Sequence, residues 1–147
     1  MTIKKDSATL MPYSEYRMEV PFLDHLNVMV ERQDKGATMV VNLDRKHMNG
    51  GMQAHGGLIM TLLDMAMASA ARHGDDLDRS SVTVEMKCNF IRPGGAVGAT
   101  LRASGRLRHG TRSLAFCEGD VYDREGQLIA TASGTFKYMN KPLNGDI

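Results

Sequence analysis

From residue 58 to residue 71 the chain runs for fourteen residues with a single ionisable side chain, Asp64. The only other polar side chains in that run are Thr61 and Ser69. A helix that is apolar on nearly every side is normally buried, so the fold must enclose one central helix. Gly56-Gly57 precedes the run, and Arg72-His73-Gly74 closes it with basic residues in the last turn and glycine at the stop position. Enclosure makes Asp64 costly, because a carboxylate taken out of water needs partners or must give up its charge. Asp64 is therefore either a structural acid bonded to serine or backbone, or a working group. The flanking pattern favours work.

The material available to enclose the helix is antiparallel sheet. Residues 82–90 alternate strictly between apolar and polar and are broken by Arg92-Pro93-Gly94-Gly95. Residues 101–108 alternate again, with a turn at His109-Gly110; residues 113–122 and 128–139 form two further strands around Asp123-Arg124-Glu125-Gly126. Such alternation describes a sheet with one buried and one wetter face. Upstream, the extended runs 27–33 and 37–43 are joined by Asp34-Lys35-Gly36, a hairpin-type turn. Pro21 opens a short helical turn over residues 21–26. Residues 1–15 carry no period and read as a loose arm, and the tail after Asn140 reads as frayed. The expected class is α+β, with about six antiparallel strands wrapped around one long helix in a single domain over residues 1–147, its core at about 20–140.

Composition narrows the partners. A formal net charge of +1 gives no broad electrostatic footprint for nucleic acid or an anionic membrane. The apolar run is too short and interrupted to span a bilayer, and the N-terminal residues lack the apolar stretch of a signal peptide. Cys88 and Cys117 fall in strand-like segments and read as reduced, packed thiols, so a cytoplasmic protein without disulfides is expected. The histidines and cysteines show no metal-ligand spacing, so no metal is expected. Gly50-Gly51 and Gly56-Gly57 lack the Gly-Lys-Ser/Thr sequel of a phosphate loop. Arg102, Arg106 and Arg108 share one strand face and read as a solvated stripe. Twelve methionines and no tryptophan suit irregular gaps in a core more than a dedicated ligand surface.

The segment before the helix reads Asn49-Gly50-Gly51-Met52-Gln53-Ala54-His55-Gly56-Gly57, with Asp64 seven residues beyond the last glycine. Val82-Thr83-Val84-Glu85-Met86, Phe90-Ile91-Arg92-Pro93, Gly110-Thr111-Arg112 and Asp123-Arg124-Glu125-Gly126-Gln127-Leu128-Ile129-Ala130 follow in order. Over residues 20–140 this ordered set resembles the hotdog-fold acyl-CoA thioesterases of the PaaI type. Any one piece is weak; the spacing from Asn to His-Gly-Gly to Asp is specific.

The resemblance implies a thioesterase that hydrolyses an acyl-CoA to a free acid and coenzyme A, with coenzyme A as part of the substrate and no separate cofactor. Asp64 would activate water or attack the thioester carbon. Gly56 would supply a backbone N–H to the developing oxyanion, at a helix start where free amides and the positive dipole end converge. Asn49 would position the thioester or water beside Gly56, or else only hold the glycine-rich loop through local hydrogen bonds, and Thr83 would orient Asp64 of the partner subunit. His55 is either a general base or a helix-entry residue that presents the Gly56 amide. Arg92 and Arg112 are expected to reach coenzyme A phosphates from turns. Gly56 and Asp64, eight residues apart, stand about 12 Å apart along one helix, too far to touch one carbon. A site shared between subunits follows, in a homodimer expected to pair into a dimer of dimers. The alternatives are a non-catalytic acyl-CoA-binding hotdog protein and, further off, a hydroxyacyl-thioester dehydratase. One conflict stands: strict alternation puts Thr83 on the face opposite Val82, Val84 and Met86, which only an interface position, twist or a bulge resolves.

Overall fold

The protein is described by a computed structural model over residues 9–140; the first eight residues of the expected arm and the expected frayed tail lie outside the described residues. One antiparallel sheet is built from β1 (Leu10–Pro12), β2 (Met29–Gln33), β3 (Gly36–Asn42), β4 (Ser81–Phe90), β5 (Thr100–Gly110), β6 (Leu114–Asp123) and β7 (Leu128–Tyr138). The strand order is β1-β2-β3-β5-β6-β7-β4. Two short helices, α1 (Tyr13–Tyr16) and α2 (Pro21–His25), precede β2, and the long helix α3 (Gly56–His73) lies between β3 and β4 in sequence. This is the α+β hotdog arrangement that the resemblance implies. It has seven strands instead of six, because the supposed arm contributes β1, which pairs through Leu10–Glu31, Met11–Val30 and Pro12–Met29. Three residues are too few for a strand period to show in sequence.

The helix packs into the concave face of the sheet. Leu58, Ile59, Leu62, Leu63, Ala66 and Met67 join Val41, Leu101, Val121 and Phe136 in one core cluster. Two backbones meet where β5 carries Gly105: a Cβ there would lie 2.4 Å from the Ala66 carbonyl oxygen. Glycine is the residue that permits this approach. At the other end of the chain's first hairpin, Gly36 closes the β2–β3 turn with φ +115°, a conformation that side chains with a Cβ rarely adopt.

The outer face is wet and ion-paired, as the arginine stripe suggests. Arg102 pairs with Glu31, Arg106 with Glu118 and Asp120, and Arg108 with Glu118. Cys88 and Cys117 are free thiols; burial pushes Cys117 up to about 11 and Cys88 upward as well, so neither is a ready thiolate. Among the described residues no helix is long and apolar enough to cross a membrane.

Two features bear on the site. After α3 the chain crosses to the far edge of the sheet, so β4 has β7 on one side and an open edge on the other. That edge strand and the residue after it expose Val82, Val84, Phe90 and Ile91, with Val84 58% accessible. An open, apolar strand edge is a template for pairing with another chain.

Candidate active site

The loop that enters α3 is held by its own side chains. Asn49 Oδ1 accepts from the N–H groups of Gly51 (2.9 Å) and Gln53 (3.1 Å), a local turn of the kind asparagine favours. Gln53 Oε1 accepts from Gly95 N–H at 3.1 Å, and Ala54 N–H donates to Gly95 O at 2.9 Å, tying the loop to the β4–β5 connection. Beneath it the buried His47 accepts from Asp44 N–H at 2.8 Å through Nδ1 and bonds Leu26 O at 2.7 Å through Nε2. The His55 N–H then donates to His47 O at 2.8 Å.

At the helix start, His55 is the N-cap, and its Nδ1 accepts from Gly57 N–H at 2.9 Å. In the neutral ring this leaves the proton on Nε2 and no free lone pair for general-base work, so in this geometry His55 shapes the helix entry. The N–H groups of Leu58 and Ile59 donate to His55 O. The Gly56 N–H has no acceptor among the described residues, as the first turn of a helix allows. It opens on a cavity of about 490 Å³ lined by Asn49, Gln53, Gly56, Ile59, Phe90 and Arg92 among others. The Phe90 ring lies 3.4 Å from where a Cβ on Gly56 would stand.

Asp64 is not enclosed as the apolar run suggests. The sheet covers one side of α3, and Gly57, Met60, Thr61, Asp64 and Ala68 form a stripe that is exposed or half-buried. Thr83 Oγ1 donates to Asp64 Oδ1 at 2.6 Å, a length typical of a hydroxyl on a carboxylate. Asp64 Oδ2 has no partner among the described residues. The expectation that Thr83 serves Asp64 of the partner subunit is thereby corrected: the two groups share a chain. The strict alternation of residues 82–90 is corrected with it. The register with β7 shifts between Thr83 and Glu85, where Thr83 opposes Phe136 and Glu85 opposes Thr135. This bulge reverses the pleat. Thr83 faces the helix before it, and Met86 and Cys88 pack against the core after it.

The structure therefore gathers the expected residues into two groups. Asn49, Gly56 and Arg92 share the cavity, with Arg92 Nη1 donating to Leu128 O at 2.8 Å. Asp64 and Thr83 stand together farther along the helix and do not line that cavity. Arg112 belongs to neither. It sits at the Ser81 end of the sheet, where its carbonyl accepts from Arg79 Nη2, and β4 separates the two ends by about 30 Å. Sequence reasoning left out Gln53 and Phe90 as site residues. Both lie inside quoted motif segments, but only the anchoring of the Gln53 oxygen and the position of the Phe90 ring over Gly56 give them a place. Among the described residues no three His, Cys, Asp or Glu side chains cluster as a metal site.

The antiparallel sheet around one long helix defines a hotdog fold. The chain belongs to the Thioesterase superfamily, whose profile matches residues 53–130. Within it the protein is a thioester hydrolase, and PaaI is among the proteins it is similar to. It is 35% identical over 118 residues to a Pseudomonas aeruginosa protein assigned as a candidate esterase, covering 79% of this chain and 87% of that one. It is 24% identical over 122 residues to the acyl-coenzyme A thioesterase PaaI of Escherichia coli, covering 82% of this chain and 84% of the relative. The solved E. coli PaaI structure matches with a TM-score of 0.77 at 20% identity, over 88% of this chain and 91% of the other. A Bacillus halodurans protein solved with CoA matches with a TM-score of 0.77 at 24% identity, over 88% and 85%. At these identities the likeness to the solved structures is one of fold.

Proposed function

We propose that the protein hydrolyses acyl-CoA thioesters to a free carboxylic acid and coenzyme A, at a site built from two subunits. One observation carries this reading. The unpaired Gly56 N–H and the Thr83-oriented Asp64 lie on a single helix about 12 Å apart, and only Gly56 lines the cavity. A second copy paired along the open β4 edge supplies what each chain lacks, in a homodimer with two equivalent sites. The exposed Val82, Val84 and Ile91 and the open stripe of α3 give that pairing its apolar surface. The names of the relatives support the substrate class, as does the CoA in the B. halodurans structure.

In this scheme the thioester oxygen accepts from Gly56 N–H, with Asn49 beside it. Asp64 of the partner subunit approaches the carbonyl carbon with Oδ2, because Oδ1 is held by a threonine hydroxyl. As a base, Asp64 takes a proton from water while the water oxygen bonds to carbon. The oxyanion on Gly56 N–H then collapses, the C–S bond breaks, and the thiolate leaves to be protonated, yielding acid and thiol. As a nucleophile, Asp64 forms an anhydride that water then splits to the same products. One preorganised oxyanion donor typically contributes about 2.7–4 kcal/mol of transition-state stabilisation. Arg92 lines the cavity and would meet a coenzyme A phosphate from the same chain; Arg112 would do so only from the partner.

The test is thiol release from aryl-, short- and long-chain acyl-CoAs by the wild type and Asp64→Ala. The wild type should turn over at least one class, and the variant should lose about 10²–10⁴-fold in kcat. Near-normal turnover by Asp64→Ala would sink the mechanism, and tight binding of intact acyl-CoA with no thiol release would favour a binding protein.

A further inference from the structure

We propose that Gln53 recognises the pantetheine arm of the substrate, its side-chain NH2 donating to the amide carbonyl nearest the thioester, and thereby makes the enzyme selective for coenzyme A thioesters over thioesters of simple thiols. This rests on the acyl-CoA reading above and names a group that reading does not use.

Two carboxamides beside the helix start are tied through their oxygens. Asn49 uses Oδ1 on the N–H groups of Gly51 and Gln53, and Gln53 uses Oε1 on the N–H of Gly95. A planar amide with its oxygen fixed on a backbone donor has its orientation settled and its NH2 end turned away from that donor. Neither Asn49 Nδ2 nor Gln53 Nε2 has an acceptor among the described residues, and both residues line the cavity beside the unpaired Gly56 N–H.

The rest of the wall carries no acceptor side chain to satisfy them. Its remaining side chains are Ala54, Ile59, Phe90, Ile91, Pro93 and the cation Arg92. Such a wall presents donors and a positive charge against apolar surface. A ligand that displaces water from it must bring acceptors, because a desolvated donor left unpaired is costly. A thioester on pantetheine brings a carbonyl, then an amide carbonyl across a two-carbon linker, then phosphates. Gly56 begins the helix and takes the first. Gln53 is fastened through Gly95 to the β4–β5 connection, which also carries Arg92, and it lines the same cavity as the helix start and the cation; in this proposal it takes the second. Selectivity of this kind is strong, because a substrate lacking the acceptor leaves the built donor unsatisfied.

The experiment measures kcat and KM for one acyl group the wild type accepts, carried on coenzyme A, on N-acetylcysteamine and on ethanethiol. N-acetylcysteamine keeps the amide carbonyl without phosphates; ethanethiol has neither. The main variant is Gln53→Glu, which retains an oxygen for Gly95 N–H while replacing the donor by an acceptor. Gln53→Ala, with its melting temperature recorded, removes both. The expected result is a rise in KM of about tenfold or more, roughly one hydrogen bond lost, for both amide-bearing thioesters. The rise for the ethanethiol ester should be much smaller, so that the wild-type preference narrows. Equal losses on all three thioesters would overturn the proposal, because they place Gln53 at the thioester or in the scaffold. A loss confined to the coenzyme A ester would overturn it too, as repulsion between the new carboxylate and the phosphates. Failure of the wild type to release thiol from any of the three would overturn the thioesterase reading along with it.

Discussion

The two ends of α3 treat polar groups in opposite ways. At the C-terminal end they are tied off. Tyr138 OH donates to the Ala71 carbonyl at 2.7 Å, satisfying one of the last-turn acceptors. Arg79 grips Asp75 through Nε and Nη2 at 3.1 Å each while its backbone N–H adds a third bond at 2.7 Å. The same guanidinium lies 4.7 Å over the Tyr138 ring. Arg72 reaches Asp78 at 2.9 Å, and its Nε is the exception, buried without a partner. At the N-terminal end, Gly56 N–H, Asn49 Nδ2 and Gln53 Nε2 are all without acceptors among the described residues, beside a cavity. These residues are exposed or half-buried, so water serves the donors in the free protein; a ligand that displaces that water must bring acceptors in its place. One end of the helix is finished by the chain; the other awaits substrate.

This contrast can be broken by substitutions that act at one end only. Thr83→Val removes the hydroxyl on Asp64 Oδ1, and a hydrogen bond to a charged group is worth about 1.5–3 kcal/mol. We expect kcat to fall about tenfold to a hundredfold, with little change in melting temperature. Loss of stability without loss of kcat would make Thr83 part of the scaffold instead. Tyr138→Phe should do the reverse: about 1 kcal/mol of stability lost, read by urea unfolding, with turnover kept. A matching drop in kcat would mean that the finished end communicates with the site.

The smallest effect concerns pH. Hydrogen bonds from Arg79 hold the Asp75 carboxyl below its usual value, against burial that pushes it up. A carboxylate with a lowered folded pKa contributes stability that is fully present above the unfolded value near 3.8. That contribution is lost as pH falls through the lower folded value. The stability difference between wild type and Asp75→Asn should thus be constant at neutral pH and shrink below about pH 4. A difference that persists unchanged in acid would show that the pair is held by shape and not by charge.

Much of this was legible in the sequence, for physical reasons. Strands of ten or more residues with one wet face carry a readable period, and an apolar run between Gly56 and Gly74 can only be a helix that packs. The short β1 has no room for a period. The bulge at Thr83 reverses the pleat in a segment whose composition alternates without a break, so residue types alone put Thr83 on the wrong face. The openness of the Asp64 stripe depends on β4 crossing to the far edge of the sheet, a matter of topology that local pattern does not encode. Gln53 carries no local signal in the sequence, because its chemistry comes from Gly95, forty-two residues away. The separation of Gly56 from Asp64, by contrast, needed only the helical rise.

The claim that each site draws on two chains is tested most directly by complementation. Asp64→Ala lacks the carboxylate, and Gly56→Val places a branched side chain where even a Cβ would touch the Phe90 ring at 3.4 Å. Each variant alone should be nearly inactive. Refolded together in equal amounts, half of the randomly paired dimers are mixed, and each mixed dimer holds one site with both wild-type groups. Recovery of about a quarter of wild-type specific activity is expected, as statistical pairing in a two-fold dimer requires. Activity no greater than the average of the two parents, in a mixture shown to contain mixed dimers, would place the whole site within one chain and contradict the account.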